Sequence, residues 1–194
     1  MVRLAFIIAI IALTSIVEGQ NTIEWDGNYK LQLADFQSPT TQIGQGNFYS
    51  LHTASEMGFA FYMSNAEFMF TKNFNSKVNC TFQRDAASLV APDSLTALDL
   101  VNFARYEFDL SELYARKFRK KLFEEKGTFS DIGFIQPIYD SIQRDLTERH
   151  TLAGRLCDLG RDKEKLMALH QEVLKEIEQL SDFCKTCKPP KKKK

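Results

Sequence analysis

The stretch NFARYEFDLSELYARKFRKKL, residues 102–122, decides the fold of this 194-residue chain. It lies in a longer segment whose apolar residues recur at roughly helical spacing. These residues are Leu95, Leu98, Val101, Phe108, Tyr114, Phe118 and Leu122. Asp93 or Ser94 is a suitable N-cap, and Gly127 is a suitable residue to end a helix. The pattern predicts one long helix that ends at about Lys126.

Within this helix, the order of Phe108-Asp109, Glu112 and Tyr114-Ala115-Arg116 resembles a known sequence pattern. It is similar to the bacterial domain-of-unknown-function 922 family, whose members are predicted secreted zinc-dependent proteases. In that family an H-E-x-x-H motif leads directly into such a segment. Here the three reacting positions differ, and the substituted residues are Phe103 for the first histidine, Ala104 for the glutamate and Glu107 for the second histidine.

These three substitutions remove the chemistry of a zinc protease. Two histidines four residues apart bind one zinc ion because they lie on the same helical face. The glutamate beside the first histidine is the general base for the zinc-bound water. Phenylalanine has no lone pair for a metal, and alanine accepts no proton. The resemblance therefore implies a zincin-like fold with no catalytic residues at Phe103, Ala104 and Glu107, and with no cofactor.

An alternative keeps zinc as the cofactor. Glu107, Glu112 and His150 would then form a rearranged ligand set for a metal-dependent hydrolase or protease. A lone helical histidine is more often a surface residue or a hydrogen-bonded structural one, and the same interpretation applies to His170. Metal content distinguishes the two hypotheses.

The two ends of the chain differ from its body. Arg3, the apolar run 4–16 and the small residue Gly19 predict a signal peptide over residues 1–19. The apolar run is shorter than the roughly 20 residues of a membrane span. We therefore expect a periplasmic or secreted bacterial protein without a transmembrane span after cleavage. Residues 20–183 would form a single zincin-like α+β domain, and residues 184–194 a flexible tail rich in cysteine and lysine.

Charge is balanced over the whole chain but concentrated in the tail. Lysine and arginine together number 25, as do aspartate and glutamate, whereas residues 184–194 contain six lysines and no acid. The tail could make weak, salt-sensitive contacts with anionic surfaces, or simply increase solubility. Because its charges are few and no aromatic residues lie among them, no specific nucleic-acid binding is expected.

Four cysteines are candidates for disulfide bonds in an exported protein: Cys80, Cys157, Cys184 and Cys187. The last two form a C-x-x-C motif that precedes two prolines. Structural disulfides and free or intermolecular thiols both remain open, because spacing alone does not fix the pairing.

The order of elements predicts an α+β fold, in which a small antiparallel sheet is followed by the long helix and two further helices. Strands are expected within residues 23–36, 48–53 and 78–84, with a hairpin over residues 57–71. The further helices are expected over residues 136–152 and 162–182. The buried stripe of the last helix would be Leu166, Leu169, Val173, Ile177 and Leu180.

These observations predict a catalytically inactive pseudoprotease that acts as a binding or scaffold module of the cell envelope. Its partner would be a protein or peptide of unknown identity. Phe59, Phe61 and Met63 mark a candidate edge strand that could bind an extended peptide by strand addition. The alternative is that these side chains build the core. A further hypothesis is that the body only displays the basic tail.

Overall fold

The computed structural model describes residues 21–59, 62–127 and 130–190. The predicted signal peptide and residues 191–194 of the tail lie outside this part of the chain. The strands are β1 (Thr22–Glu24), β2 (Gln42–Ile43), β3 (Ser50–His52), β4 (Ser55–Phe59), β5 (Val78–Gln83) and β6 (Ser88–Ala91). The α-helices are α1 (Asn65–Phe70), α2 (Ser94–Glu125), α3 (Ile135–Leu156) and α4 (Lys163–Gln179). The predicted α+β class is confirmed.

Helix α2 is the central element, and its predicted bounds are confirmed. The side chain of Asp93 accepts a hydrogen bond from the backbone N–H of Thr96 at 2.7 Å, and thus caps the first turn. The predicted apolar stripe is wrong in this turn, where Leu95 and Leu98 are exposed. Ala97, one residue before Leu98 and about 100° around the helix, is buried in their place.

The predicted single antiparallel sheet is in fact two three-stranded sheets. One has the order β1-β5-β4 and is antiparallel, whereas in the other β6 pairs with β2 in parallel and with β3 in antiparallel orientation. Alternate residues of β5 are buried, as expected for a strand with one covered face. Phe82 of β5 packs on Phe108 of α2 with ring centroids 6.0 Å apart. This contact fixes α2 against the first sheet.

The predicted hairpin over residues 57–71 is wrong in its second half. Strand β4 ends at Phe59, and residues 65–70 form the short helix α1. Ser64 accepts a hydrogen bond from the backbone N–H of Glu67 at 3.2 Å, so the pair Ser64-Asn65 begins a helix instead of a turn.

Helices α3 and α4 pack on α2 in opposite directions. His150 of α3 contacts Glu107, and Tyr139, earlier in α3, packs on Phe118, later in α2, so these two helices are antiparallel. Helix α4 runs parallel to α2, because ion pairs join Lys163 to Asp99 at 3.1 Å and Glu176 to Lys117 at 2.9 Å. Among the described residues, no helix combines the length and apolarity needed to span a membrane.

A buried cluster of charged side chains links α2 to strand β5, to the end of α4 and to the segment that follows α4. Glu112 accepts hydrogen bonds from Arg116 at 2.9 Å and from Arg119 at 2.8 Å, and all three side chains are buried. Arg119 also donates to the backbone carbonyls of Val78 in β5 and Phe183 beyond α4. Arg116 donates to the carbonyl of Ile177 in the last turn of α4, where helix carbonyls lack intrahelical partners. We call Glu112, Arg116 and Arg119 the arginine cluster.

The first residues of the predicted flexible tail are attached to the body. Asn73 and Asn75 both donate to the carbonyl of Cys187, at 3.3 and 3.0 Å, and Lys185 pairs with Glu24 of β1. Residues 185 and 187 are therefore held to the body, the first through its side chain and the second through its backbone carbonyl.

Replacing Glu112 by glutamine should lower the free energy of unfolding by about 3 kcal/mol, since it leaves two buried guanidinium groups without a counter-charge. Glu125→Gln is the matched control, because Glu125 forms an exposed pair with Lys121 at 3.5 Å and should change stability by about 0.5 kcal/mol. Urea unfolding measures both variants. Equal effects of the two substitutions would contradict the role of the arginine cluster.

Candidate functional site

A cleft of about 500 Å³ lies between α2, α4 and the loop that follows β1. The cleft is lined by residues of all three. From α2 these include Asn102, Arg105, Phe108 and Asp109, and from α4 they include Leu166, Met167, His170 and Leu174. The loop contributes Trp25, Gly27, Tyr29, Lys30 and Leu31. The lining is mostly apolar with a few polar groups, and the volume is in the range of small-molecule sites. We call this space the α2–α4 cleft.

Two glycines let the backbone of the cleft lining pack closely on its neighbours. Gly27 has a φ of +79°, and a Cβ atom there would lie 3.2 Å from the ring of Trp25 in the same loop. Gly160 has a φ of +99°, and its Cβ would lie 2.4 Å from the carbonyl oxygen of Asp99 on α2. Other residues adopt such backbone conformations only with strain. A side chain at position 160 would therefore push this segment away from α2, and one at position 27 would strain the loop.

The loop wall is also held by a carboxylate. The Oδ1 atom of Asp26 accepts hydrogen bonds from the backbone N–H groups of Asn28 and Tyr29, each at 2.8 Å. These two bonds stabilise the charged form and hold the pKa of Asp26 below its ordinary value. The turn thus places Trp25 and Leu31 on the same side of the cleft.

Three side chains are hydrogen-bonded across the cleft wall. The indole N–H of Trp25 donates to Oδ1 of Asp109 at 2.7 Å, and Nε2 of His170 lies 2.6 Å from Oδ2 of the same carboxylate. The guanidinium of Arg116 lies over the Trp25 ring, 5.3 Å from its centroid. Both oxygens of Asp109 are therefore occupied by protein groups. The sequence did not indicate that Trp25, Asp109 and His170 would meet, because they come from the residue after β1, from α2 and from α4.

The Asp109–His170 pair has no hydroxyl of serine or threonine and no thiol beside it in the cleft lining that the structure describes. An Asp–His pair activates a nucleophile when a hydroxyl or thiol lies beside the histidine. Among the described residues, those lining the α2–α4 cleft include no serine, threonine or cysteine. Nor do the described residues contain a group of three or more His, Cys, Asp or Glu side chains arranged to hold a metal.

The three substituted motif positions lie on the buried part of α2. Phe103 stacks on Tyr106 with centroids 5.6 Å apart and lies 6.2 Å from the ring of His150. Ala104 is fully buried. Glu107 is buried as well, and its Oε1 atom lies 2.5 Å from Nε2 of His150. Positions 103 and 107 thus share one helical face with His150 opposite them.

Glu107 and His150 border a second, smaller cavity of about 200 Å³. Its other polar lining comes from Thr53, Ser55 and further side chains of α2 and α3. The second oxygen of Glu107, Oε2, is buried and has no protein hydrogen-bond partner within the described residues. The hydrogen bond to Glu107 raises the pKa of His150 above its ordinary value, against the opposing effect of burial.

The alternative ligand set of Glu107, Glu112 and His150 is not brought together. Residues five apart on an α-helix differ by about 140° in direction, so Glu112 lies on another face from Glu107. Its carboxylate belongs to the arginine cluster and is bound by Arg116 and Arg119. Glu107 and His150 alone provide two donors, one fewer than a catalytic zinc site takes from the protein. These residues do not fit a zinc of the protease type.

The candidate edge strand is only partly as expected. Strand β4 does lie at the edge of its sheet and ends at Phe59, but Phe61 lies outside the described residues and Met63 is not in a strand. The Phe59 ring packs on Phe118 with centroids 5.6 Å apart. The hydroxyl of Tyr139 donates to the carbonyl of Met57 at 3.3 Å, so α3 contacts this edge. Phe59 therefore serves the core.

Two of the four disulfide candidates form a bond. Cys184 is bonded to Cys187, whereas Cys80 and Cys157 are free and buried. The Sγ atom of Cys80 lies 3.8 Å from the carbonyl oxygen of Phe108, and burial raises the pKa of this thiol well above its ordinary value. The interior thiols therefore act as small apolar side chains.

In comparisons with known proteins, no family model, no curated protein and no solved structure matches this chain. The resemblance to the predicted zinc proteases thus stays a prediction based on residues 102–122.

The contact between His150 and Glu107 should make stability depend on pH. Because folding raises the pKa of His150, the contribution is complete below its unfolded pKa of about 6.5 and is lost as pH rises through the folded value. His150→Gln should therefore destabilise the protein more at pH 5.5 than at pH 9, as measured by urea unfolding. His52→Gln is the control at an exposed histidine. An equal loss at both pH values for His150→Gln would contradict the ion pair.

Proposed function

We propose that this chain is a non-catalytic binding protein that takes a small ligand in the α2–α4 cleft. The main observation in support of this proposal is the cleft itself, a mostly apolar space of about 500 Å³ with a few fixed polar groups. Asp109 is hydrogen-bonded to both Trp25 and His170, so this part of the site is formed before a ligand enters.

A binding role also agrees with the pseudoprotease hypothesis. Phe103 and Ala104 supply no metal ligand and no general base where an H-E-x-x-H helix would carry them. Phe103 instead fills the contact between α2 and α3, beside Tyr106 and His150. In this proposal α2 is still the central helix, and the face that carried the reacting residues is now part of the core. The ligand binds instead at the face that carries Arg105 and Asp109. Export to the cell envelope is part of the same proposal.

Zinc content tests the loss of protease chemistry. The purified chain should contain far less than one zinc per molecule by elemental mass spectrometry after dialysis. The variant Phe103→His with Glu107→His should take up about one zinc, because two histidines four residues apart would then face His150. Adding His150→Ala to this variant is the control and should remove the uptake.

Two results would count against this interpretation. Near one zinc in the parent chain, retained in Cys184→Ser with Cys187→Ser, would overturn the non-catalytic proposal. A restored variant that folds, by circular dichroism, but takes up no zinc would remove the support of the motif resemblance.

An amphipathic fluorescent probe tests the cleft. Trp25 is the only tryptophan and lies in the cleft wall, so its emission reports on occupancy. Anilinonaphthalene sulfonate should quench Trp25, and Met167→Glu should weaken its binding at least tenfold by placing a charge in the lining. Leu152→Glu is the matched control, since Leu152 is 57% exposed, Met167 is 59% exposed and only Met167 borders the cleft. Equal binding by both variants would refute the site.

A further inference from the structure

The lining of the α2–α4 cleft carries a positive charge that forms no ion pair within the described residues. Arg105 is half-buried and forms no ion pair within them. Its Nε atom donates to the carbonyl of Leu31 and its Nη1 atom to Oδ1 of Asn102, each at 2.8 Å. Both bonds are to neutral groups, and the second terminal nitrogen, Nη2, keeps its donors for a ligand.

The neighbouring charges do not cancel this one. Lys30 lines the same cleft, is exposed and forms no ion pair among the described residues. Lys163, also in the lining, is paired with Asp99. The single carboxylate of the lining, Asp109, already accepts from Trp25 and contacts His170, so its two oxygens are engaged elsewhere. A half-buried guanidinium without a counter-ion is a site for an anionic group.

The α2–α4 cleft also contains buried apolar side chains. The lining of α2 runs from Asn102 to Asp109, about 10 Å at 1.5 Å per residue. Leu31, Phe108 and Leu166 are buried around this length. Arg105 lies about 4.5 Å along the helix from Asn102 and about 6 Å from Asp109, so one helical turn separates the cation from the Trp25 wall. The cleft thus places an unpaired cation beside buried apolar side chains.

From this arrangement we infer that the ligand is a small amphipathic monocarboxylate. Its carboxylate is bound by the free edge of Arg105 with Lys30 nearby, and its chain lies along Leu31 and Phe108 toward Trp25. Arg105 is fixed by Leu31 and Asn102 before binding, so little side-chain freedom is lost when the ligand enters. This inference rests on the proposed function of the cleft and specifies its ligand class.

The test compares decanoate with decanol, which has the same chain without the charge, by Trp25 fluorescence and calorimetry on the full chain. Decanoate should bind at least tenfold more tightly. Arg105→Met should remove this preference, so that the ratio of the two affinities falls to about one. Lys30→Glu is a second variant at an exposed residue without described partners, and should weaken decanoate severalfold. Lys175→Glu, an exposed lysine of α4 outside the cleft lining, is the control and should change neither affinity.

The outcomes separate the two proposals. Equal affinity for decanoate and decanol, unaffected by both Arg105→Met and Lys30→Glu, would overturn carboxylate recognition while leaving the cleft as a binding site. Binding of decanoate that persists undiminished in Met167→Glu would place the ligand elsewhere and refute both. Loss of the decanoate preference in Lys30→Glu alone supports the inference even if Arg105→Met fails to fold.

Discussion

The rest of the structure depends on the arginine cluster, because it is where the long helix is bound to both the sheet and the end of the chain. Glu112 is the counter-charge that Arg116 and Arg119 share, and the two guanidinium groups also donate to carbonyls of β5, α4 and the segment after α4. Burying two cations costs free energy that a close counter-charge and these hydrogen bonds offset. The cluster therefore holds the C-terminal end of α4 and the segment after it against α2.

Trp25 connects this cluster to the candidate site. One face of its ring contacts Arg116, and its N–H is bound by Asp109 in the wall of the α2–α4 cleft. The indole borders both the cleft and the space beside the arginine cluster.

The face of α2 that carries positions 103 and 107 packs on α3 through His150. The two positions lie one turn apart and face His150, the spacing that two metal-binding histidines need. With phenylalanine and glutamate there, the same spacing gives an aromatic contact and an ion pair. A carboxylate next to a histidine stabilises the fold at acidic pH, whereas a phenylalanine closes the space to solvent.

The sequence by itself determined the three long helices, since caps such as Asp93 and apolar periodicity act over a few residues. It also determined the α+β class and that positions 103 and 104 hold no metal ligand. Only the tertiary structure decided the sites. Asp109 and His170 are 61 residues apart, and their contact depends on α4 lying parallel to α2, which no local pattern encodes. The assignment of β5 and β6 to different sheets was also beyond local patterns, because strand partners are chosen by packing over the whole chain.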